Sequence, residues 1–172
     1  MSELVPEARI VAFIVDPNNS STEASIRDAT AAADAKGVQL KILKVTTEAD
    51  FEDAFASLAK LRAGALMIQT DPFIDRENDR LVALAAHYRV PAIYGFRRFA
   101  LAGGLISYGV SIAGVYRQVG AYAGKILAGS KPADLPVQQL TKFELVINLQ
   151  IARALGITVP QSLLARADEV IE

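Results

Sequence analysis

The chain has 172 residues, of which 52% are apolar and 22% charged, and its formal net charge is −1. This length can bury the core of one globular domain, and the charge lacks the clustered lysines and arginines of a nucleic-acid-binding surface. There is no cysteine and a single histidine, His87, which excludes disulfide scaffolds, cysteine-based zinc sites, thiol nucleophiles and sites with several histidine ligands.

The first half of the sequence alternates between strand and helix patterns. "RIVAFIV" (9–15) is a continuous apolar run rich in β-branched residues, which predicts a strand buried on both faces. An alanine-rich helix is predicted from about 21 to 36, ending at Gly37. The same reasoning gives strands at 38–45, 64–70 and 90–95, and helices at about 48–62 and 75–89. The βαβαβαβ order predicts an α/β fold, a parallel sheet with helices on both faces.

After Gly95 the pattern is less regular. "FRRFALAGG" predicts a short helix, followed by a strand at 105–109 and a helix at 111–129. An extended connector leads to the last clear strand, "FELVINL", and the tail "PQSLLARADEVIE" predicts one more short amphipathic helix. No linker or low-complexity segment interrupts the chain, so we expect one domain over residues 1–172.

The loops that follow the strands carry most of the candidate ligand-binding groups. In parallel α/β sheets, ligands bind beyond the carboxyl ends of the strands. Asn19, Ser20 and Ser21 lie at a predicted helix start, where free backbone N–H groups suit a carboxylate or phosphate. Each of them alone could equally be an ordinary cap or turn residue. The convergence of several such loops on one edge favours a ligand site.

Catalytic and cofactor-binding motifs are missing from the sequence. It contains no GxGxxG, GxxxxGK[ST] or GxSxG motif. Asp71 and Asp75 flank one loop, but aspartate often opens a helix. His87 lies near a predicted helix end, away from the strand-end loops. We therefore expect a protein that is not an enzyme, with no catalytic residue, no metal site and no cofactor.

Four stretches, in this order and spacing, resemble one protein family. They are "IVAFIVDPNNSST", "DPFIDREN", "VPAIYGFRRFALAGGLISYG" and "AGKILAGSKPADLPVQQLTKFELVINLQIARALGITVPQSLLARADEVI". Together they resemble, over essentially the whole chain, the ABC-transporter substrate-binding proteins associated with tryptophan and tyrosine uptake. The resemblance implies a solute-binding protein with the type I periplasmic-binding-protein fold. Such proteins have two lobes and about twice this length, and the chain resembles their second half.

The resemblance also implies a division of the chain and a ligand site. Residues 1–94 and 141–172 would form a flavodoxin-like second lobe, and residues 95–140 would supply the hinge and a segment that returns to the first lobe. Hinge closure would trap a small organic solute, such as an aromatic amino acid, between the lobes. The wall of the cleft would carry Asn19, Ser20, Ser21, Asp71, Phe73, Tyr94, Phe96 and Tyr108. By position, Asn19, Ser20 and Ser21 would hold a carboxylate or amide, and Asp71 would hold an amino group. Phe73, Tyr94 and Phe96 would offer ring surface, and Tyr108 would lie near the hinge.

Partners and location are implied in the same way. The family works with an ABC permease in the periplasm or another extracytoplasmic space. The N-terminus "MSELVPEARI" does not resemble a signal peptide, and no apolar stretch reaches the length of a membrane span. As written, the chain is therefore expected to remain in the cytoplasm without inserting into a membrane. Apolar residues between 104 and 136 would lack their neighbours from the first lobe, which predicts a homodimer.

Two other functions remain open at this stage. The chain could be an isolated lobe with no ligand of its own, serving a structural or self-associating role. It could also be a response-regulator-like signalling domain with Asp71 as the phosphoacceptor. Against the signalling reading, Asp16 has no adjacent acid at the end of the first strand, and the lysine expected after a later strand is missing.

Overall fold

The computed structural model describes residues 1–138 and 142–172. The strands are β1 (Ile10–Val15), β2 (Gln39–Lys44), β3 (Ala65–Ile68), β4 (Ala92–Tyr94), β5 (Ile106–Val110), β6 (Phe143–Asn148) and β7 (Glu169–Ile171). The helices are α1 (Thr22–Ala35), α2 (Ala49–Leu61), α3 (Pro72–Arg76), α4 (Asn78–His87), α5 (Arg97–Leu101), α6 (Ile112–Leu127), α7 (Leu149–Leu155) and α8 (Gln161–Leu164). The expected boundary between residues 140 and 141 lies outside the described residues.

All the strands belong to one seven-stranded sheet in the order β2-β1-β3-β4-β5-β6-β7. The first five strands are parallel, and Phe13 of β1 is in register with Ile42 of β2 and Met67 of β3. β6 runs antiparallel to β5, and β7 is parallel to β6. The predicted α/β fold is confirmed, with the last two strands, β6 and β7, running opposite to the first five.

The sheet separates two hydrophobic cores. Along β4, Ala92 and Tyr94 belong to the core that α2, α4 and α5 cover, whereas Ile93 packs into the core beneath α7 and α8. Side chains alternate between the faces of a strand, so these assignments place helices on both sides of the sheet.

Two predicted elements differ from the structure. The helix expected at 75–89 is two helices, α3 and α4, which meet at Glu77. The first begins earlier than predicted because the Asp71 side chain accepts hydrogen bonds from two backbone N–H groups at its start. The tail is also not a single helix. α8 is short, and the chain then pairs with β6 as strand β7, with the Asp168 N–H donating to the Leu145 carbonyl.

α6 lies outside both cores. None of its residues is buried, and its side chains include Tyr116 at 72% exposure and Leu127 at 88%. An amphipathic helix is normally stabilised by burying its apolar face, and here that face is open. Within the described residues, no helix combines the length and the apolar character that crossing a bilayer requires.

Candidate functional site

The loops after β1 and β3 are joined by buried polar contacts at the carboxyl edge of the sheet. The Asp16 backbone N–H donates to Gln69 Oε1 at 3.0 Å, and Gln69 Nε2 donates to Thr22 Oγ1 at 2.8 Å. The Thr22 hydroxyl donates in turn to the Asp16 carbonyl at 2.5 Å. All three residues are buried. Because buried polar groups lose stability when unpaired, this network holds the two loops in a fixed arrangement. Nothing in the sequence pattern singled out Gln69 or Thr22.

Asn19 and Asp71, two of the expected site residues, meet at this edge. Asn19 Nδ2 donates to Asp71 Oδ2 at 2.6 Å, across 52 positions of the sequence. Asp71 Oδ1 accepts from the backbone N–H groups of Phe73 (2.7 Å) and Ile74 (3.0 Å). Asp71 is only 3% exposed. Its carboxylate therefore caps α3 and holds the β1 loop, and it already accepts three hydrogen bonds from the protein.

The start of α1 is less open than the sequence suggested. Asn19 Oδ1 accepts from both the N–H and the hydroxyl of Ser21 at 2.8 Å. The N–H groups of Asn18 and Asn19 donate to oxygens of Asp16, and that of Thr22 donates to the Asn19 carbonyl. These donors are satisfied within the loop. Ser20 is exposed, and its side chain makes no hydrogen bond to the described part of the chain.

Two of the expected aromatic contacts have different environments. Phe73 is half-buried, and its ring stacks on Phe51 with 5.5 Å between centroids. Tyr94 is 1% exposed and stacks on Phe99 at 4.7 Å. Its side chain points into the core because alternate residues of β4 face that side of the sheet. The expectation that Tyr94 offers ring surface at the edge is therefore wrong for this chain. Burial also raises the pKa of its hydroxyl.

A second group of residues lies where β4 and β5 end. A cavity of about 410 Å³ opens here, lined by Phe96, Arg97, Arg98, Val110, Ile112, Ala113 and Glu144. The Arg98 guanidinium carbon lies 5.1 Å from the centroid of the Phe96 ring. This is within the range of a cation–π contact. Phe96 was expected at the site and Arg98 was not, although "FRR" directly after a strand is a signal for it.

Arg98 also connects this cavity to the Asp71 loop. Its Nη2 lies 3.5 Å from Asp75 Oδ2 and donates to the Asp75 carbonyl at 3.1 Å. Burial raises the pKa of Asp75 to about 6, with Arg98 acting against the rise and Asp71 adding to it. At neutral pH the Asp75 carboxyl is mostly ionised and faces the guanidinium.

The antiparallel pair β5 and β6 borders the cavity. Tyr108 of β5 is 55% exposed and stacks on Phe143 of β6, with ring centroids 5.6 Å apart. A Cβ added at Gly109 would lie 1.8 Å from the Gly95 carbonyl oxygen, so the ends of β4 and β5 approach too closely for a side chain there. The expected residues Phe96 and Tyr108 thus lie on adjoining elements.

The site offers hydrogen-bonding groups, aromatic rings and two guanidinium groups, of which that of Arg97 is paired with Glu169. Among the described residues, no three histidine, aspartate or glutamate side chains converge where they could hold a metal ion. A cavity that combines apolar walls with a few polar and charged groups is suited to binding a small organic molecule.

Comparison with known proteins gives one family and several similar folds. A family model described as ABC transporter substrate binding protein matches residues 1–171. A conserved domain protein from Vibrio cholerae aligns with a TM-score of 0.86 and 23% identity, covering 98% of this chain and 57% of that one. An ABC domain from Streptococcus pneumoniae, solved in complex with L-Trp, aligns with a TM-score of 0.86 and 23% identity. The alignment covers 99% of this chain and 59% of that one.

A third similar fold is the ligand-free, open structure of a substrate-binding protein with adhesive properties from Clostridium difficile. It aligns with a TM-score of 0.68 and 19% identity, covering 98% of this chain and 56% of that one. At these identities the three alignments show the fold alone. The chain spans less than 60% of the length of each of these proteins. No match to a curated protein was found.

Proposed function

Because the chain belongs to the ABC transporter substrate-binding protein family, we propose that it acts as a ligand-binding lobe of an ABC uptake system for a small organic solute. One observation carries the proposal. Loops separated in sequence meet at the carboxyl edge of the sheet, where Asn19 and Asp71 are joined at 2.6 Å. An open cavity with an aromatic ring and a guanidinium lies beside them. Ligands bind at this edge in open α/β sheets.

We further propose that the solute is an aromatic amino acid. Arg98 is suited to pairing with a carboxylate, and Phe96 and Phe73 would provide ring surface. Ser20 and Ser21 are exposed at the same edge and have hydroxyl groups for the carboxylate or amide. The Streptococcus pneumoniae protein of similar fold was solved with L-Trp, which supports this choice of solute.

The division of the chain into a lobe and a returning segment remains a proposal. It is supported by α6, which has no buried residue and lies between the antiparallel strands β5 and β6. In this proposal residues 95–140 contain the hinge and pack against a further body, and residues 1–94 and 141–172 form the lobe. The partner in transport would be an ABC permease, and the place of action would be outside the cytoplasmic membrane.

Thermal stability in the presence of candidate solutes tests the proposed function. A protein in 100-fold excess of ligand over Kd gains about 2.7 kcal/mol of stability. We expect L-Trp, L-Tyr or L-Phe to raise the melting temperature, and L-Ala to have no comparable effect. Phe96→Ala should reduce the shift, whereas Tyr116→Ala, at an exposed position of α6, should not. A shift that is equal for L-Ala, or unaffected by Phe96→Ala, would contradict the assignment.

Self-association is a second proposal, favoured by the exposed apolar face of α6. Val119 is 57% exposed and lies on the same helix as Tyr116 and Leu127. Exposed faces of this kind usually mark an interaction surface. We propose that two copies of the chain pair through α6. Light scattering should give twice the chain mass of 18.4 kDa for the wild type and the monomer mass for Val119→Glu, while Ala31→Glu on the exposed side of α1 stays dimeric. If the wild type is monomeric at all concentrations, the proposed dimer is wrong and α6 stays uncovered in the chain alone.

A further inference from the structure

A half-open groove of about 420 Å³ lies at the opposite end of the sheet from the strand-end loops. Its floor is formed by residues near the beginning of three neighbouring strands, which are Val11 of β1, Leu40 of β2, and Ala65 and Met67 of β3. These side chains are apolar, and the groove lies far along the strands from Asn19 and the other site residues. It therefore belongs to neither the proposed solute site nor the cavity beside Phe96.

The walls of the groove explain why it is open. One wall is the last half of α1, where Ala29 and Ala33 face the sheet. The opposite wall is the N-terminal segment, with Val5 and Pro6. Alanine side chains are too short to fill the space between the helix and this segment, and α1 buries only Thr22. Protein interiors are normally packed without such gaps, so the groove leaves apolar surface available to a ligand.

The charged groups of the groove all have one sign. Arg9 and Lys36 line it and are exposed, and the lining contains no aspartate or glutamate. Neither side chain forms an ion pair with any residue that the structure describes. Glu3, an acid of the same N-terminal segment, pairs instead with Arg166 at 2.6 Å. The groove thus combines apolar walls with two exposed cationic side chains, and the Glu3 carboxylate acts on Lys36 only at longer range.

We propose that this groove binds an amphipathic organic anion, with an apolar body over Val11 and Met67 and a carboxylate between Arg9 and Lys36. An apolar pocket with a few charged groups fixes both the class and the orientation of its ligand. A neutral ligand would leave the cations unpaired, and a purely polar anion would leave the floor exposed to water. The site is independent of the proposed solute cleft, because no residue is shared between them.

Isothermal titration of the full chain with sodium decanoate tests the proposal, with decanol as the uncharged analogue. We expect one saturable site per chain and at least tenfold weaker binding of decanol. Ala33→Phe, which fills the groove, should abolish decanoate binding. The double variant Arg9→Gln/Lys36→Gln should weaken it about tenfold or more. Arg27→Gln, an exposed arginine of α1 outside the lining, is the matched control and should bind as the wild type does.

Each result decides the proposal in one direction. Saturable binding that depends on Ala33 and on the two cations supports it. No saturable binding of decanoate, equal binding of decanol, or binding that survives both the filled groove and the charge variant would overturn it. Circular dichroism should verify that Ala33→Phe is folded. If it is not, the Arg9→Gln/Lys36→Gln variant decides alone, since both side chains are exposed. Phe96→Ala should leave decanoate binding unchanged, which separates this site from the solute cleft.

Discussion

Removing the Asp71 side chain should destabilise the fold more than the loss of a surface charge does. The carboxylate is 3% exposed and accepts hydrogen bonds from Asn19 Nδ2 and from two backbone N–H groups of α3. Losing a helix cap costs about 1 kcal/mol, and a hydrogen bond to a charged group contributes about 1.5–3 kcal/mol. We therefore expect Asp71→Ala to lower the free energy of unfolding by about 2–4 kcal/mol.

Asp71→Asn should cost less, about 1–2 kcal/mol. Its amide oxygen can still cap α3, but its NH₂ group would face the NH₂ of Asn19. Asn19 cannot rotate to relieve this without losing the two bonds that its Oδ1 accepts from Ser21. A double-mutant cycle between Asn19→Ala and Asp71→Ala should give a coupling of about 1 kcal/mol, as expected for residues in contact.

Urea unfolding measures these differences. Asp53→Ala, at an exposed position of α2, is the control and should change the free energy of unfolding by less than about 0.5 kcal/mol. If Asp71→Ala costs no more than this control, the Asp71 carboxylate does not hold the two loops together. A coupling near zero would show that the Asn19 contact is not formed in solution.

Three further predictions concern pH, close packing and a buried hydroxyl. Burial raises the pKa of Asp75 to about 6, so the folded state binds this proton more tightly than the unfolded state. The stability that this bound proton contributes is complete below about pH 4 and is lost as the pH rises through 6. Between pH 4 and 7 the wild type should therefore lose about 1–2 kcal/mol of stability relative to Asp75→Asn. Gly109→Ala should cost about 2 kcal/mol or more in urea unfolding because its Cβ would meet the Gly95 carbonyl, whereas Gly120→Ala, with open space around it in α6, should stabilise by up to about 1 kcal/mol. Tyr94→Phe should leave the melting temperature unchanged or slightly higher, since the Tyr94 hydroxyl is buried without a partner among the described residues; a marked loss of stability would reveal a partner.

The alternation of strands and helices was predictable because it depends on local patterns. The β-branched run at 9–15 and the alanine-rich stretch after it have different periods, and each forms the expected element. The C-terminal strand β7 was not predictable, because its three residues become a strand only by pairing with β6. The break at Glu77 likewise depends on the Asp71 cap, which fixes where α3 begins.

The site was predictable in position and less so in composition. Strand ends identify the loops, but the hydrogen bond between Asn19 and Asp71 joins residues 52 positions apart. The sequence could not tell that Tyr94 faces the core while Arg98, four residues later, stacks on Phe96 at the cavity. Orientation at a strand end depends on register and on the helix that follows, and both are set by the tertiary structure.

The central claim is that the carboxyl edge of the sheet binds the solute, and amide chemical-shift mapping by NMR tests it most directly. The chain, at 18.4 kDa, should be titrated with L-Trp, L-Tyr and L-Phe. Our account predicts saturable shifts at the amides of Ser20, Phe73, Phe96 and Arg98, with little change in the groove beneath α1. Shifts confined to other parts of the chain, or no saturable shift with any of the three amino acids, would contradict it.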